Sequence, residues 1–231
     1  MKSFVNHIKD AIDYALSDKV AILIISILMT MVSFVNKNDV IYPLWKLLNI
    51  NLIIIVGYGS YVSWYTLKGS DKHPHFKNNL RRLVWEGFKK SLIIFIYSGG
   101  LWLLFSQAKQ NYINENLIIA ACWIILFALL YLCFIGGLLN RYLHKGKFME
   151  AFHIFEIIKL LSLFDTKSLI KVVIAVIISQ IFAASALIGF YEGLNLIEII
   201  YSIACLFLTP FLYIATKRLI ALNVYDLLET K

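Results

Sequence analysis

His73-Pro74-His75 sets two imidazoles on either side of a proline, and imidazole is the side chain that most often binds a metal or moves a proton near neutral pH. No cysteine stands near them to complete a metal set. Pro74 marks a bend, so the segment reads as a solvated turn ahead of a helix at Phe76. Glu86, Glu150, His153 and Glu156 are the groups that could serve acid–base chemistry on a lipid headgroup at a membrane surface. Walker, G-x-S-x-G, H-E-x-x-H and EF-hand patterns are missing from the sequence. The expectation is a non-enzymatic chain with no catalytic residue, cofactor or metal. Cys122, Cys133 and Cys205 all fall in apolar stretches, where cysteine behaves as a small hydrophobe. Cys122 and Cys133 are separated on one helix by about 16 Å of rise, beyond disulfide reach.

Ionisable residues inside a membrane mark function by default, and here none falls securely in a membrane centre. Lys46, Glu192 and Glu198 stand near helix ends, where long side chains reach the interface. Neutral groups do occur at depth: Gln180 with Ser179 in one stretch, Ser26 and Thr30 in another. Glycine interrupts the stretches as Gly57-Tyr58-Gly59-Ser60, Gly99-Gly100 and Gly136-Gly137. Small residues let helix backbones approach, and a glycine pair also bends a helix beside a cavity. Gly57, Gly59, Ser60 and Gln180 are therefore the candidate packing or pathway residues. A larger residue at Val62 on the same helix should be tolerated.

These residues must be carried by six apolar stretches: 20–35, 47–67, 91–105, 117–139, 169–190 and 196–216. Several approach the ~20 apolar residues that cross a bilayer core. The chain is 60% hydrophobic over 231 residues, which leaves no room for a separate soluble domain. Of the 22 Lys and Arg, nineteen fall before the first stretch, after the last, or in the second and fourth gaps, taking Lys171 with the fourth gap. Cytoplasmic loops carry the Lys/Arg excess, so both termini should be cytoplasmic in a multi-pass protein of the cell membrane. The net charge of +8 answers to topology and anionic lipid, and no nucleic acid is expected as a partner. Lys77, Arg81, Arg82, Lys89 and Lys90 are the candidate headgroup contacts. No A-x-A-like site follows the first stretch, so no cleaved signal is expected.

Three segments on the basic side read as helices lying in the interface. Phe4, Ile8, Ala11, Ile12 and Ala15 share the offsets of Phe76, Leu80, Leu83, Val84 and Gly87, each with charge on the other face. Phe148–Leu163 is the third and greasier one. Phe4, Phe76 and Phe148 are 72 residues apart, and Tyr-x-x-Lys-Gly recurs as Tyr65–Gly69 and Tyr142–Gly146. Gly suits the left-handed residue after a helix, Lys the negative helix end and Tyr the headgroup level. The fold expected is an all-α membrane protein: six transmembrane helices in three hairpins, each preceded by an interfacial amphipathic helix. Residues 1–231 form one membrane domain, with repeat units 1–67, 68–139 and 140–216 and an amphipathic tail at 217–231.

The run Val56-Gly57-Tyr58-Gly59, then Leu67-Lys68-Gly69, Pro74, Phe76 and Gly87-Phe88-Lys89, resembles a mainly archaeal multi-pass family, domain of unknown function 4013. Phe4, Ala11, Ile12 and Tyr14, then Phe148, Ala151 and Phe152, and the closing Thr209-Pro210-Phe211 with Arg218, Ala221 and Tyr225 are similar to it too. The resemblance implies a multi-pass architecture and carries no activity. The leading expectation is a protein engaging membrane lipid, anionic headgroups above all, or partner subunits such as a second copy, in membrane organisation or assembly. A transporter or channel for a small or lipidic solute is the alternative, and a lipid-headgroup enzyme the second.

Overall fold

The computed structural model describes residues 4–34, 50–74, 76–164, 166, 169–171, 173–174, 176–177 and 196–229. Every regular element among them is helical: α1 (Phe4–Ser17), α2 (Lys19–Phe34), α3 (Ile50–Leu67), α4 (Phe76–Ile113), α5 (Leu117–Leu143), a 3-10 turn (Met149–Phe152), α6 (Ile154–Leu161) and α7 (Leu196–Glu229). Three described segments are long and apolar enough to cross a membrane: Ile50–Leu67, Leu80–Ile113 and Leu117–Leu143. At 1.5 Å per residue even the shortest spans about 27 Å. The chain divides into two compact units, residues 1–88 with 164–231, and residues 89–163.

In the first unit α1 and α3 both run along α7, and α2 packs on α3 and α7. The core takes Ala11, Tyr14 and Ala15 from α1, Ala21, Ile25 and Met29 from α2, Ile55, Tyr58 and Val62 from α3, and Tyr213, Ile214 and Ala215 from α7. In α2 and α3 the spacings of three and four keep each set on one helix face, whereas α7 contributes three consecutive residues. On α1 a second stripe, Val5, Ile8, Ile12 and Leu16, stays exposed. Asp18 separates α1 from α2 and caps α2, accepting the Ala21 N–H at 3.0 Å.

In the second unit α5 holds the 3-10 turn and α6 against its last third. A Cβ on Gly137 would lie 2.3 Å from the Ala151 carbonyl oxygen, and one on Gly136 2.7 Å from Ile157 Cγ2. Gly137 thus admits the backbone of the 3-10 turn, and Gly136 the side chains of α6. Tyr97 donates to the Ala151 carbonyl at 2.8 Å and stacks on Phe152. Beyond this contact α6 leaves Ile154, Phe155 and Ile158 exposed while Ile157 and Leu160 are buried. Glycine in the left-handed region follows both α3 and α5, with φ of +66° at Gly69 and +75° at Gly146.

Several expected boundaries differ. Phe76–Lys90 is not a separate interfacial helix: α4 runs unbroken for 38 residues to Ile113. Charge changes at Lys90, but no glycine or proline stands there to stop the backbone ladder. The tail expected at Lys217 is likewise the continuation of the 34-residue α7. Its Arg218, Ile220, Ala221 and Val224 are buried, so the face that read as amphipathic is a packing face. The third interfacial segment divides at His153 into the 3-10 turn and α6. Val62 is wholly buried in the core, which removes the expectation that a larger residue is tolerated there. The fifth stretch falls mostly outside the described residues.

Candidate functional site

Glycine sets the position of the basic face. On α3, a Cβ at Gly57 would lie 2.0 Å from the Leu83 carbonyl oxygen of α4, and one at Gly87 would lie 1.8 Å from the Ile53 carbonyl oxygen. No side chain fits either place, so α3 and α4 touch backbone to backbone. Gly59 serves a different neighbour, for its Cβ would meet the Tyr213 hydroxyl at 2.3 Å. Tyr213 continues past it to the Ile55 carbonyl at 3.3 Å. Ser60 is buried and donates to the Val56 carbonyl one turn back, at 2.9 Å. Gln180 lies outside the described residues.

The α3–α4 contact brings Tyr61 beside the first turns of α4. Tyr61, Arg81, Arg82, Val84, Trp85 and Glu86 line a pocket of about 750 Å³. That volume lies within the range of small-molecule sites. Tyr61 is 9% exposed and forms an inner wall, whereas Trp85 is 61% exposed at the mouth. Arg82 and Glu86 are both close enough to the Tyr61 hydroxyl to act on it electrostatically. Arg81 and Arg82 are exposed, as a binding pair must be. Two guanidinium groups offer planar forks of donors that match phosphate oxygens.

The other expected headgroup cations fare differently. Lys89 is half-buried and donates to the Gly146 carbonyl at 3.3 Å. Lys90 is corrected outright: it is 3% exposed and donates to the Tyr142 hydroxyl, so its ammonium serves packing in the second unit. Its position was the available signal, because the apolar offsets of Phe76, Leu80, Leu83, Val84 and Gly87 continue to residue 90 on the packed side of the helix. Lys77 belongs to the α4 backbone, and its side chain lies outside the described residues.

A second polar cluster was not read from the sequence. The Arg218 side chain is 4% exposed on α7. It donates to Asp10 Oδ1 at 3.0 Å, to Thr66 Oγ1 at 3.0 Å and to the Ser70 carbonyl at 3.1 Å, and it also pairs with Asp71. The Tyr14 ring lies against it at 4.6 Å. One guanidinium therefore ties α1, the end of α3 and the loop after it to α7. Burial raises the Tyr14 hydroxyl's pKa well above the ordinary tyrosine range, which keeps its proton for the bond to the Lys72 carbonyl at 3.1 Å.

Beside this clasp the Tyr58 hydroxyl donates to Asp18 at 2.6 Å. His73 lies with Nε2 2.8 Å from Ser17 Oγ and Nδ1 3.4 Å from Asp18. Ser, His and Asp in that order suggest a hydrolytic relay. Here, however, the Ser17 hydroxyl also donates to the Tyr14 carbonyl at 2.7 Å, and His73 stacks on Tyr14 at 4.1 Å. In that geometry the imidazole fastens the loop to α1. The spacing of Asp10, Tyr14 and Asp18, one residue per turn, was the available signal for an inward polar stripe. Glu150 and His153 do meet, at 3.0 Å, and no cluster of metal-ligating residues occurs among the described residues.

Three helices long and apolar enough to cross a membrane, exposed apolar stripes and a basic pocket beside a helix crossing point to a helical membrane protein. The sequence profile of the family described as "Protein of unknown function (DUF4013)" matches residues 44–191, more than half of the chain, and the chain belongs to that family. Neither the curated proteins nor the solved structures contain a match.

Proposed function

We propose that this is a non-enzymatic multi-pass membrane protein that engages phosphate-bearing lipid headgroups, in membrane organisation or assembly. One observation carries the reading: Arg81 and Arg82 share a pocket with Tyr61 and Trp85. Paired guanidinium groups suit a phosphate, and Trp and Tyr favour the depth at which headgroups lie. In this reading six helices cross the plasma membrane, with both termini and the loops around Lys72 and Lys145 cytoplasmic. The skewed Lys/Arg distribution supports that orientation. An anionic leaflet adds a long-range attraction of about 1 kcal/mol per nearby cation, before any pocket is filled.

The test is native mass spectrometry of protein extracted gently from bilayers of defined phospholipid. Replacing both Arg81 and Arg82 by alanine should cost about 2 kcal/mol, or roughly thirtyfold, in lipid retained. Unchanged retention in a double variant that melts like the parent would overturn the reading.

A further inference from the structure

Only one charge state of His73 satisfies the groups around it. The Ser17 hydroxyl has a single proton, and it goes to the Tyr14 carbonyl at 2.7 Å. To bond Ser17 Oγ at 2.8 Å, His73 Nε2 must therefore be the donor. The other ring nitrogen, Nδ1, faces Asp18 Oδ2 at 3.4 Å, with the two side chains only 23% and 14% exposed. A neutral ring protonated on Nε2 would aim the Nδ1 lone pair at that carboxylate, a repulsion little relieved by water. The opposite neutral tautomer meets Asp18 but must take the Ser17 proton, which breaks the bond to the Tyr14 carbonyl. The imidazolium alone satisfies Ser17, Asp18 and the Tyr14 carbonyl together.

We propose that His73 is a proton-operated latch: protonated, it holds residues 72–74, in the loop from α3 to α4, against the α1–α2 junction, and deprotonated it releases them. The charges around it set the sign. Asp18 favours the cation and is itself fixed by the Tyr58 hydroxyl of α3 at 2.6 Å and the Ala21 N–H of α2 at 3.0 Å. Tyr14 of α1 lies against the ring at 4.1 Å and donates to the Lys72 carbonyl at 3.1 Å. Arg218 of α7 opposes the cation from 4.6 Å over the Tyr14 ring, but its charge is matched by Asp10 and Asp71. Lys19 and Lys72 are exposed, and Phe76 of α4 brings only an apolar ring, stacked on Tyr58. The His75 side chain lies outside the described residues. An imidazole changes charge between about pH 5 and 8, so the latch is closed at the acid end and opens as pH rises. Arg218 keeps its charge throughout, so Ser70 and Asp71 stay tied to α7 and the release is confined to residues 72–74.

Hydrogen–deuterium exchange of the full chain in lipid nanodiscs tests this, read on the peptide covering the loop and corrected for the intrinsic chemical rate. Between about pH 5.5 and about pH 8 the parent should lose about fivefold in protection there, the scale of one net hydrogen bond. His73→Gln should exchange like the high-pH parent at both ends, whereas His75→Gln should keep the parent's pH dependence. Nitrogen-15 spectra of the histidine-labelled parent give a readout that needs no loop variant: at about pH 5.5 both His73 ring nitrogens should carry protons. A neutral His73 ring under those conditions would overturn the charge assignment. Loop protection that stays constant while the ring titrates would show that the charge holds nothing. A pH dependence that survives in His73→Gln, or disappears in His75→Gln, would also overturn the latch.

Discussion

Arg218→Ala should release α1 from the first unit. In the parent the guanidinium is nearly excluded from water and makes charge-assisted bonds to Asp10 and Asp71 plus bonds to Thr66 and the Ser70 carbonyl. Breaking a fully buried ion pair costs about 3–5 kcal/mol, chiefly through the charge left behind. Here the charges left behind recover water, since Asp10 is 31% and Asp71 84% exposed. The Thr66 hydroxyl also keeps its own bond to the Val62 carbonyl at 2.8 Å. What remains is one partly buried ion-paired bond at about 2 kcal/mol and two bonds from the guanidinium to neutral acceptors, of which roughly half is recovered, or about 3 kcal/mol together. For a chain of this size that corresponds to a fall of roughly 6–12 °C in melting temperature. Differential scanning fluorimetry in mild detergent measures it. Ala11 is buried on the α1 face in the parent, so thiol labelling of an Ala11→Cys variant, with the native cysteines replaced, shows separately whether α1 has lifted. Asp71→Asn should be close to neutral because that carboxylate is mostly solvated. Should Arg218→Ala melt with the parent and leave the thiol at position 11 unreactive, the clasp has no energetic role and the reasoning fails.

The remaining predictions concern the α3–α4 contact and the topology. Gly57→Leu and Gly87→Ala should both lower the melting temperature by several degrees, because each new Cβ meets a backbone carbonyl that cannot move aside. Gly99→Ala is the matched control: nothing lies within 4 Å of its Cβ position, and alanine is the better helix former. Equal losses at Gly57 and Gly99 would show that generic helix effects, not the crossing, are being measured. For topology, single cysteines at positions 72 and 145 should resist an impermeant label in intact cells while one at position 110 reacts. The reverse pattern would invert the orientation.

What could be read in the sequence follows from which forces leave a local trace. Apolar length and the run of Lys and Arg identify a helical membrane chain because each is a property of consecutive residues. Gly57 and Gly59 stood out for the same reason, but sequence could not name their neighbours. One faces the α4 backbone and the other the Tyr213 hydroxyl, contacts to residues 26 and 154 positions away. Helix ends were legible where chemistry stops a helix, as at Gly69 and Gly146. They were not where only the solvent changes, as at Lys90 and Lys217, because intrahelical hydrogen bonds run through such a change unaltered. Burial of cations was the least visible property. Lys90, Arg141 and Arg218 are all under 5% exposed, while Arg81 and Arg82 remain at the surface. Nothing in the residue types separates the two groups. The difference is made by partners folded in from elsewhere, Tyr142 for Lys90 and Asp10 for Arg218. The pocket follows the same logic: its arginines, candidate headgroup contacts from the sequence, gain a pocket only where Tyr61 arrives from another helix, and that approach depends on two glycines with no side chain to keep the backbones apart.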